Sequence, residues 1–304
     1  MRSVNNKVYT KQAALLVNIL PEVAKEQCFA LYGGTAINLF VRDLPRLSVD
    51  VDLTYLPIED RQCSLDNIAK ALERIKDRIK QHLTIVNVLH KREIGKLLVS
   101  SHGISIKVEV NLVARGVLAQ PDIMPLCKQA QEEFDVFCAM PIVPVGQLYG
   151  GKICAALDRQ HPRDLFDVKY LLKNEGFSND IKNGFLFCLL SSDRPIHEMI
   201  NPNFQNQRRA MENQFYGMSR KPFSYDEYES SRRDLVALIQ KNLTQQDNEF
   251  LYSVKTLVPD WTLYDFERFP AVQWKLHNIQ KLKDANPKKY QSQCEALKNI
   301  LDSW

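Results

Sequence analysis

Apolar and polar positions follow two different periods along this chain. Up to about residue 174, runs that alternate apolar and polar side chains stand between amphipathic stretches. The alternation is clearest at residues 49–55 and 105–112, and a period of two is typical of β-strands. Residues 11–26 instead repeat apolar positions at helical spacing. After about residue 176, strand-like runs nearly vanish. The pattern predicts an α+β part followed by a helical part.

The pattern also predicts where the remaining elements lie. We expect strands at 28–32, 83–90 and 96–101, and helices at 35–41, 65–81, 144–158 and 162–173. Beyond residue 176, we expect helices at 181–190, 205–214, 225–242, 247–256, 270–283 and 287–301. We therefore predict two domains, residues 1–176 and residues 177–304.

Composition narrows the class of protein. Of the 304 residues, 45% are hydrophobic and 25% are charged, as in ordinary globular proteins, which excludes a disordered chain. No apolar run approaches the roughly 18 residues of a membrane helix, and the first residues lack a secretory apolar core. The seven cysteines are odd in number and form no C-x-x-C motif. We therefore expect reduced thiols, no membrane association and a cytoplasmic location.

Two aspartates on one predicted strand are the first candidate for chemistry. Asp50 and Asp52 are two residues apart, so they point to the same face of the strand. Adjacent carboxylates repel each other unless a cation lies among them, and Mg²⁺ prefers carboxylate and phosphate oxygens. Glu109, on another alternating strand, could reach the same ion if the two strands are neighbours. The alternative is a solvent-facing strand with incidental acids.

A glycine turn precedes this strand. Gly33-Gly34-Thr35 follows the strand predicted at 28–32 and opens a helix, so the backbone could approach a phosphate closely. By itself such a turn is equally consistent with a simple tight turn. Arg46 and Ser48, just before Asp50, could contact phosphate or could only fix the loop.

Taken in order, these motifs resemble the nucleotidyltransferase superfamily related to DNA polymerase β, and more closely the AbiEii/AbiGii toxin family. The resemblance extends to Lys152 and Arg159 in residues 152–159, to Asp167 in residues 163–167, and to residues 194–198 and 215–218. It therefore spans most of the chain. Two departures are Gly34, where the superfamily often has Ser, and Glu109, where it often has Asp. Thr35 would then supply the missing hydroxyl.

The resemblance implies a fold, a reaction and partners. It implies a mixed sheet flanked by helices, followed by a helical bundle. It also implies a toxin that uses two Mg²⁺ ions to transfer a nucleoside monophosphate from an NTP to an acceptor hydroxyl. An RNA end such as that of tRNA is the expected acceptor, and a cognate antitoxin is expected. The alternatives are a protein or small-molecule acceptor, or a non-catalytic nucleotide-binding protein.

The resemblance assigns roles residue by residue. Asp50, Asp52 and Glu109 would hold the metal ions. The residues of the glycine turn, with Arg46 and Ser48, would bind the nucleotide. Lys152 would contact the triphosphate, or it is a lysine on a solvated helix face. Asp164 and Asp167 share one face of a helix, so they could orient Lys152 or Arg159. Alternatively, Asp164 is only an acid in the first helical turn, where the helix dipole favours it. Asp167 matches the family motif and is counted with the catalytic residues.

Overall fold

A computed structural model describes residues 2–304, with side chains from residue 7 onward. The chain forms two compact units. The first runs to Leu148 and also includes Arg209–Phe223, and the second comprises Tyr149–Arg208 and Ser224–Trp304. The predicted domain boundary at residue 176 is not the point at which these units divide, and as a boundary between folding domains it stays a prediction.

The first unit is built on a mixed seven-stranded sheet with the order β3-β4-β5-β2-β1-β7-β6. Strands β1 and β7 run parallel, as do β2 and β5, and the other neighbouring pairs are antiparallel. The strands are β1 (Phe29–Tyr32), β2 (Asp50–Tyr55), β3 (Asn87–Lys91), β4 (Lys96–Ser101), β5 (Ile104–Val110), β6 (Asp122–Pro125) and β7 (Ala139–Ile142).

Helices cover one face of this sheet. Helix α1 (Arg2–Ala24) packs on β5 and β7, and α3 (Arg61–His82) packs on β3 and β4. Asp60 caps α3, its side chain accepting a hydrogen bond from the Cys63 amide at 2.9 Å. The strand residues that point to this face, such as Val51 and Val108, are fully buried. Because side chains alternate along a strand, the residues between them face the opposite side.

Three shorter helical segments lie between the strands of the first unit. Helix α2 (Gly33–Ala36) continues as a π-helical segment (Ile37–Val41), a 3₁₀ turn (Arg92–Ile94) links β3 to β4, and α4 (Lys128–Phe134) precedes β7. Strands β6 and β7 and helix α4 were not predicted from the sequence. Pro125 and Pro141 lie inside the two strands, and proline is a signal against strand structure except at edges and bulges.

The second unit is helical, as predicted. Its elements begin with α5 (Val145–Asp158), which starts just before the unit, and α6 (Pro162–Asn174). They continue with α7 (Asn179–Leu190), α8 (Ile196–Ile200), α10 (Tyr225–Asn242), α11 (Gln245–Lys255), α12 (Pro270–Ala285) and α13 (Pro287–Asp302). Between α8 and α10, a short helix α9 (Arg208–Ala210) passes into a π-helical segment (Met211–Phe215) that belongs to the first unit.

Close backbone approach and capping fix the helices of the second unit. A side chain at Gly150 in α5 would collide with the backbone of Gly184 in α7, so these two helices meet without intervening side chains. Helix α10 begins with a capping box in which Ser224 and Glu227 satisfy each other's backbone amides. Helix α10 also packs on α6. Among the residues that the structure describes, no helix has both the length and the apolar character of a membrane span.

Candidate functional site

Cross-strand register brings three acidic side chains together on the sheet face opposite to α1 and α3. Strands β2 and β5 pair in parallel, with Asp52 opposite Glu109 and Asp50 opposite Lys107. Asp50 and Asp52 lie on the same face because they are two residues apart. The predicted condition that the Glu109 strand lie beside the Asp50–Asp52 strand is therefore met. All three are partly exposed, as a site that admits a ligand requires.

Two lysines neutralise part of this acidic group. The Lys107 ammonium donates to Glu109 Oε2 at 2.8 Å and lies 3.6 Å from Asp50 Oδ1. Lys96, opposite Glu109 on β4, reaches Glu109 Oε1 at 2.5 Å. Both carboxylate oxygens of Glu109 are thus ion-paired. We define the carboxylate cluster as Asp50, Asp52 and Glu109 together with Lys96 and Lys107. Its formal charge is negative by one unit when all five are ionised.

The pKa directions follow from these ion pairs. Burial raises the pKa of Glu109, but the hydrogen bonds from Lys107 and Lys96 outweigh it, so the net shift is downward. For Lys107, burial lowers the pKa, while the hydrogen bond to Glu109 and the nearby Asp50 and Asp52 charges raise it above its ordinary value. Each shift favours the charged form of the group. Glu109 and Lys107 therefore remain ionised at neutral pH.

The glycine turn packs directly against the carboxylate cluster. Gly33 has φ +70°, a conformation that side chains disfavour, and a Cβ there would collide with Asp52 Oδ2. A Cβ on Gly34 would lie 2.7 Å from Nη2 of Arg46. A side chain at Gly33 would therefore be strained and would displace Asp52, and a side chain at Gly34 would displace the Arg46 guanidinium. The Asn38 side chain donates to the Gly34 carbonyl at 2.9 Å and holds the turn from the following π-helical segment.

The other predicted nucleotide-binding residues lie beside the turn, but their polar groups are used within the protein. Thr35 is fully buried; its hydroxyl donates to the Asp50 carbonyl at 2.5 Å and lies 2.8 Å from the Ser48 hydroxyl. Arg46 is also buried and donates to the Leu47 carbonyl at 2.9 Å. These contacts fix the start of β2. Phosphate binding by Thr35, Ser48 and Arg46 stays a prediction.

A distant part of the sequence holds this loop in place. Arg46 forms an isolated antiparallel bridge with Ser219, the Leu47 amide donates to the Met218 carbonyl at 2.8 Å, and the Arg220 amide donates to the Pro45 carbonyl at 3.0 Å. Phe215, from the family-like motif at 215–218, is fully buried and stacks edge-on against Phe223. That motif therefore supports the glycine-turn side of the first unit.

Lys152, Asp164 and Asp167 form a buried ion cluster inside the second unit. The Lys152 ammonium lies 2.8 Å from Asp164 and 3.2 Å from Asp167, and Arg159 donates to Asp164 at 2.5 Å. Lys152 has 6% side-chain exposure and each aspartate 1%. Burial alone would raise the pKa of Asp164, but Lys152 and Arg159 hold it well below its ordinary value. The shared helix face of Asp164 and Asp167 thus brings both carboxylates to Lys152, and Asp164 also contacts Arg159.

The donor set of the carboxylate cluster fits a divalent cation, although it is not preassembled for one. Among residues 2–304, no three His, Cys, Asp or Glu side chains already stand together in a geometry that could hold a metal ion. The Lys107 ammonium nevertheless marks a cation position between Asp50 and Glu109. Carboxylate oxygens in a partly exposed position are the ligands that Mg²⁺ prefers.

Comparison with known families identifies the class of protein. The family described as the nucleotidyl transferase AbiEii toxin of type IV toxin–antitoxin systems matches residues 14–278. This chain belongs to the AbiEii nucleotidyltransferase toxin family. The resemblance inferred from the motifs is confirmed, and the protein is a nucleotidyltransferase toxin.

A solved structure supports the fold. MenT4, a nucleotidyltransferase toxin from Mycobacterium tuberculosis H37Rv, superposes with a TM-score of 0.63 at 14% identity, over 92% of this chain and 99% of that one. At this identity the likeness concerns the fold, and it confirms a mixed sheet flanked by helices with a helical C-terminal region. No curated protein sequence matches the chain.

Lysine pairing at Glu109 was the main feature of the site that sequence reasoning missed. Lys107 was recognisable as sharing a face with Glu109, because it is two residues away on the same strand. Lys96 could not be recognised, since its position opposite Glu109 depends on the register of β4 with β5. The bridge from Arg46 to Ser219 joins residues far apart in sequence and left no local signal.

Proposed function

We propose that this AbiEii-family toxin is a Mg²⁺-dependent enzyme that transfers a nucleoside monophosphate from an NTP to the terminal hydroxyl of an RNA, with tRNA as the expected class. The observation that carries the proposal is the cross-strand pairing of Asp52 with Glu109 beside Asp50. Three carboxylates on one face of a sheet, with a partly exposed glycine turn against one of them, suit a phosphoryl-transfer site.

In this proposal, Asp50 and Asp52 hold the divalent ions, and Glu109 joins them when its lysine partners turn to phosphate. When bound, such ions would stabilise the negative charge of an in-line displacement in which the acceptor hydroxyl attacks the α-phosphorus and pyrophosphate leaves. Glu109 would also accept the proton of the attacking hydroxyl. Lys107 and Lys96 then provide positive charge beside the reacting phosphates.

The glycine turn is proposed to receive the triphosphate. A backbone without side chains at Gly33 and Gly34 allows phosphate oxygens close to the amides at the start of the following helical segment. Thr35, Ser48 and Arg46 support that turn through buried hydrogen bonds. Direct contact of these three with phosphate would require them to exchange their present partners.

We propose functional roles for both Lys152 and Asp167. Because Lys152 lies between Asp164 and Asp167 in a buried cluster, it first stabilises the junction of α5 and α6. Its predicted contact with the triphosphate is a separate claim. The two roles are separable by measuring stability and activity of the same variants.

The family membership leads us to propose a cognate antitoxin as a protein partner, and the cytoplasm as the place of action. All seven cysteines lie among the described residues and are free thiols, as a reducing compartment requires. The neighbouring reading frame is the direct place to look for the antitoxin.

The test is a label-transfer assay with each of the four NTPs in turn, Mg²⁺, and a mixture of RNA, protein and small solutes. We expect label on RNA, and we expect EDTA to abolish it. Label on protein or on small solutes, with RNA unlabelled, would select a different acceptor. Absence of transfer to any acceptor with every NTP would contradict the proposed reaction.

A further inference from the structure

On the sheet face that carries the carboxylate cluster, the side chains from β2 to β3 follow an ordered sequence of charge. Register places Asp52, Glu109, Lys96 and Lys91 in one row across β2, β5, β4 and β3. The charges along this row run from negative to positive. Side chains of directly paired residues stand on the same face of a sheet. The row thus points from the cluster to the sheet edge at β3.

The neighbouring row carries leucines on β4 and β3, the two strands on which the first row carries lysines. Asp50, Lys107, Leu98 and Leu89 pair in register across the same four strands. Leu89 is 52% exposed, although it lies within a strand. Its neighbours Val88 and His90 point to the opposite face, where the His90 ring lies 2.6 Å from Glu73 of α3. We call Lys91, Lys96, Leu89 and Leu98 the β3–β4 strip.

Lys91 is the member of this strip that is available to a ligand. It is exposed, and no ion pair to it is found among the residues whose side chains the structure describes. Lys96, by contrast, is paired with Glu109. A lysine row with an adjacent apolar row suits a strand of nucleotides, because lysines neutralise phosphates while apolar side chains contact sugars and bases.

The dimensions agree with a short single strand. Neighbouring strands of a sheet are about 4.8 Å apart, so the backbone of Lys91 lies about 14 Å from that of Asp52. A stacked nucleic-acid strand advances roughly 3.4 Å per nucleotide, so this distance corresponds to about four nucleotides.

We propose that the β3–β4 strip is the docking surface for the acceptor, a single-stranded RNA end of about four nucleotides. The terminal hydroxyl lies at the carboxylate cluster, and the strand runs across β5 and β4 to Lys91 on β3. This inference rests on the proposed function and adds to it the surface, the strandedness and the length of the acceptor that the enzyme reads.

The first experiment measures KM for RNA oligonucleotides of one to eight residues, at saturating NTP. We expect KM to fall with length up to about four nucleotides and then to level off. We expect Lys91→Gln to raise KM for the longer acceptors about two- to fivefold, the range for one exposed ion pair, and to leave kcat and the KM for a mononucleotide acceptor unchanged.

A second experiment separates charge from apolar contact. In binding titrations without NTP, Lys91→Gln reduces the slope of log affinity against log salt by about 0.7. Leu89→Ser weakens binding at an unchanged slope. The control is Lys80→Gln, since Lys80 is an exposed lysine of α3, which packs on the other face; it should alter neither quantity.

The outcomes test the proposed docking surface separately from the proposed transfer reaction. One outcome is transfer to RNA in which Lys91→Gln and Leu89→Ser show the same KM and salt slope as Lys80→Gln. This result would overturn the docking surface, and the proposed reaction would still hold. A KM that keeps falling far beyond four nucleotides would overturn the proposed length. Transfer to a protein acceptor with no transfer to RNA would overturn both.

Discussion

The Lys107 ammonium lies 2.8 Å from Glu109 Oε2, two residues away on the same strand. It also faces Asp50 at 3.6 Å. The Lys107 ammonium therefore lies at a position to which the carboxylates would attract a metal ion. We expect Lys107→Met to raise the affinity for Mn²⁺ about tenfold, because one positive charge no longer opposes the ion.

Mn²⁺ binding followed by electron paramagnetic resonance measures this affinity without relying on turnover. Lys107→Arg keeps the charge and serves as the matched control, with affinity close to that of the unaltered protein. Equal Mn²⁺ affinity in the Met and Arg variants would show that Lys107 does not compete for the cation position.

Gly33→Ala is expected to reduce label transfer as well as the stability of the fold. The substitution forces a side chain into positive φ, at a cost of about 1–2 kcal/mol, and drives a Cβ into Asp52. Gly103→Ala is a close control, because Gly103 has φ +75° and no atom within 4 Å of a Cβ. Thermal unfolding and label transfer of both variants separate the effects. If the two lose the same stability and keep the same activity, the close approach of Gly33 to Asp52 has no functional role.

Lys152→Ala is expected to lower the free energy of unfolding by about 3–5 kcal/mol, because it leaves two buried carboxylates without their cation. Lys169→Ala, which removes a half-exposed partner of Glu227, should cost about 1 kcal/mol or less. Urea titration gives both values. A Lys152→Ala protein of undiminished stability that transfers no label would favour the triphosphate contact over the structural role.

Asp164 makes the stability of the protein depend on acid pH with a defined sign. Its folded-state pKa is held below the ordinary aspartate value by Lys152 and Arg159, despite burial. Its contribution is therefore complete above the ordinary value near 3.9 and is lost as pH falls through the lowered folded value. Unfolding of the unaltered protein and of Asp164→Asn, measured between pH 6 and pH 2, should show a stability difference that shrinks as pH falls below about 4. A constant difference across this range would refute the assignment.

The sequence predicts those structural features that depend on residues close together along the chain. The alternation at 49–55 and 105–112 predicted β2 and β5, and residue parity alone placed Asp50 with Asp52. The absence of strands in the later part was also predicted correctly. These features need only the period of a strand and the resemblance of ordered motifs.

Features that depend on long-range pairing were not predictable. Lys96 meets Glu109 only through the register of β4 with β5. The helix predicted at 205–214 was assigned to the second domain, yet residues 209–223 join the first unit and bridge Arg46. Thr35 resembles a phosphate-binding residue, but whether its hydroxyl is buried follows from packing and not from its neighbours in sequence. Each of these is decided by contacts between residues distant along the chain.

The central claim is that the Asp50–Asp52 pair carries metal-dependent nucleotidyl transfer. The most direct measurement is transfer of labelled nucleoside monophosphate to RNA by the unaltered protein, by Asp50→Asn and by Asp66→Asn, with circular dichroism to establish folding. Asp66 is an acid of α3 in the same unit. We predict a loss of about a hundredfold or more for Asp50→Asn and none for Asp66→Asn. Folded Asp50→Asn protein that transfers label at the normal rate would contradict the account.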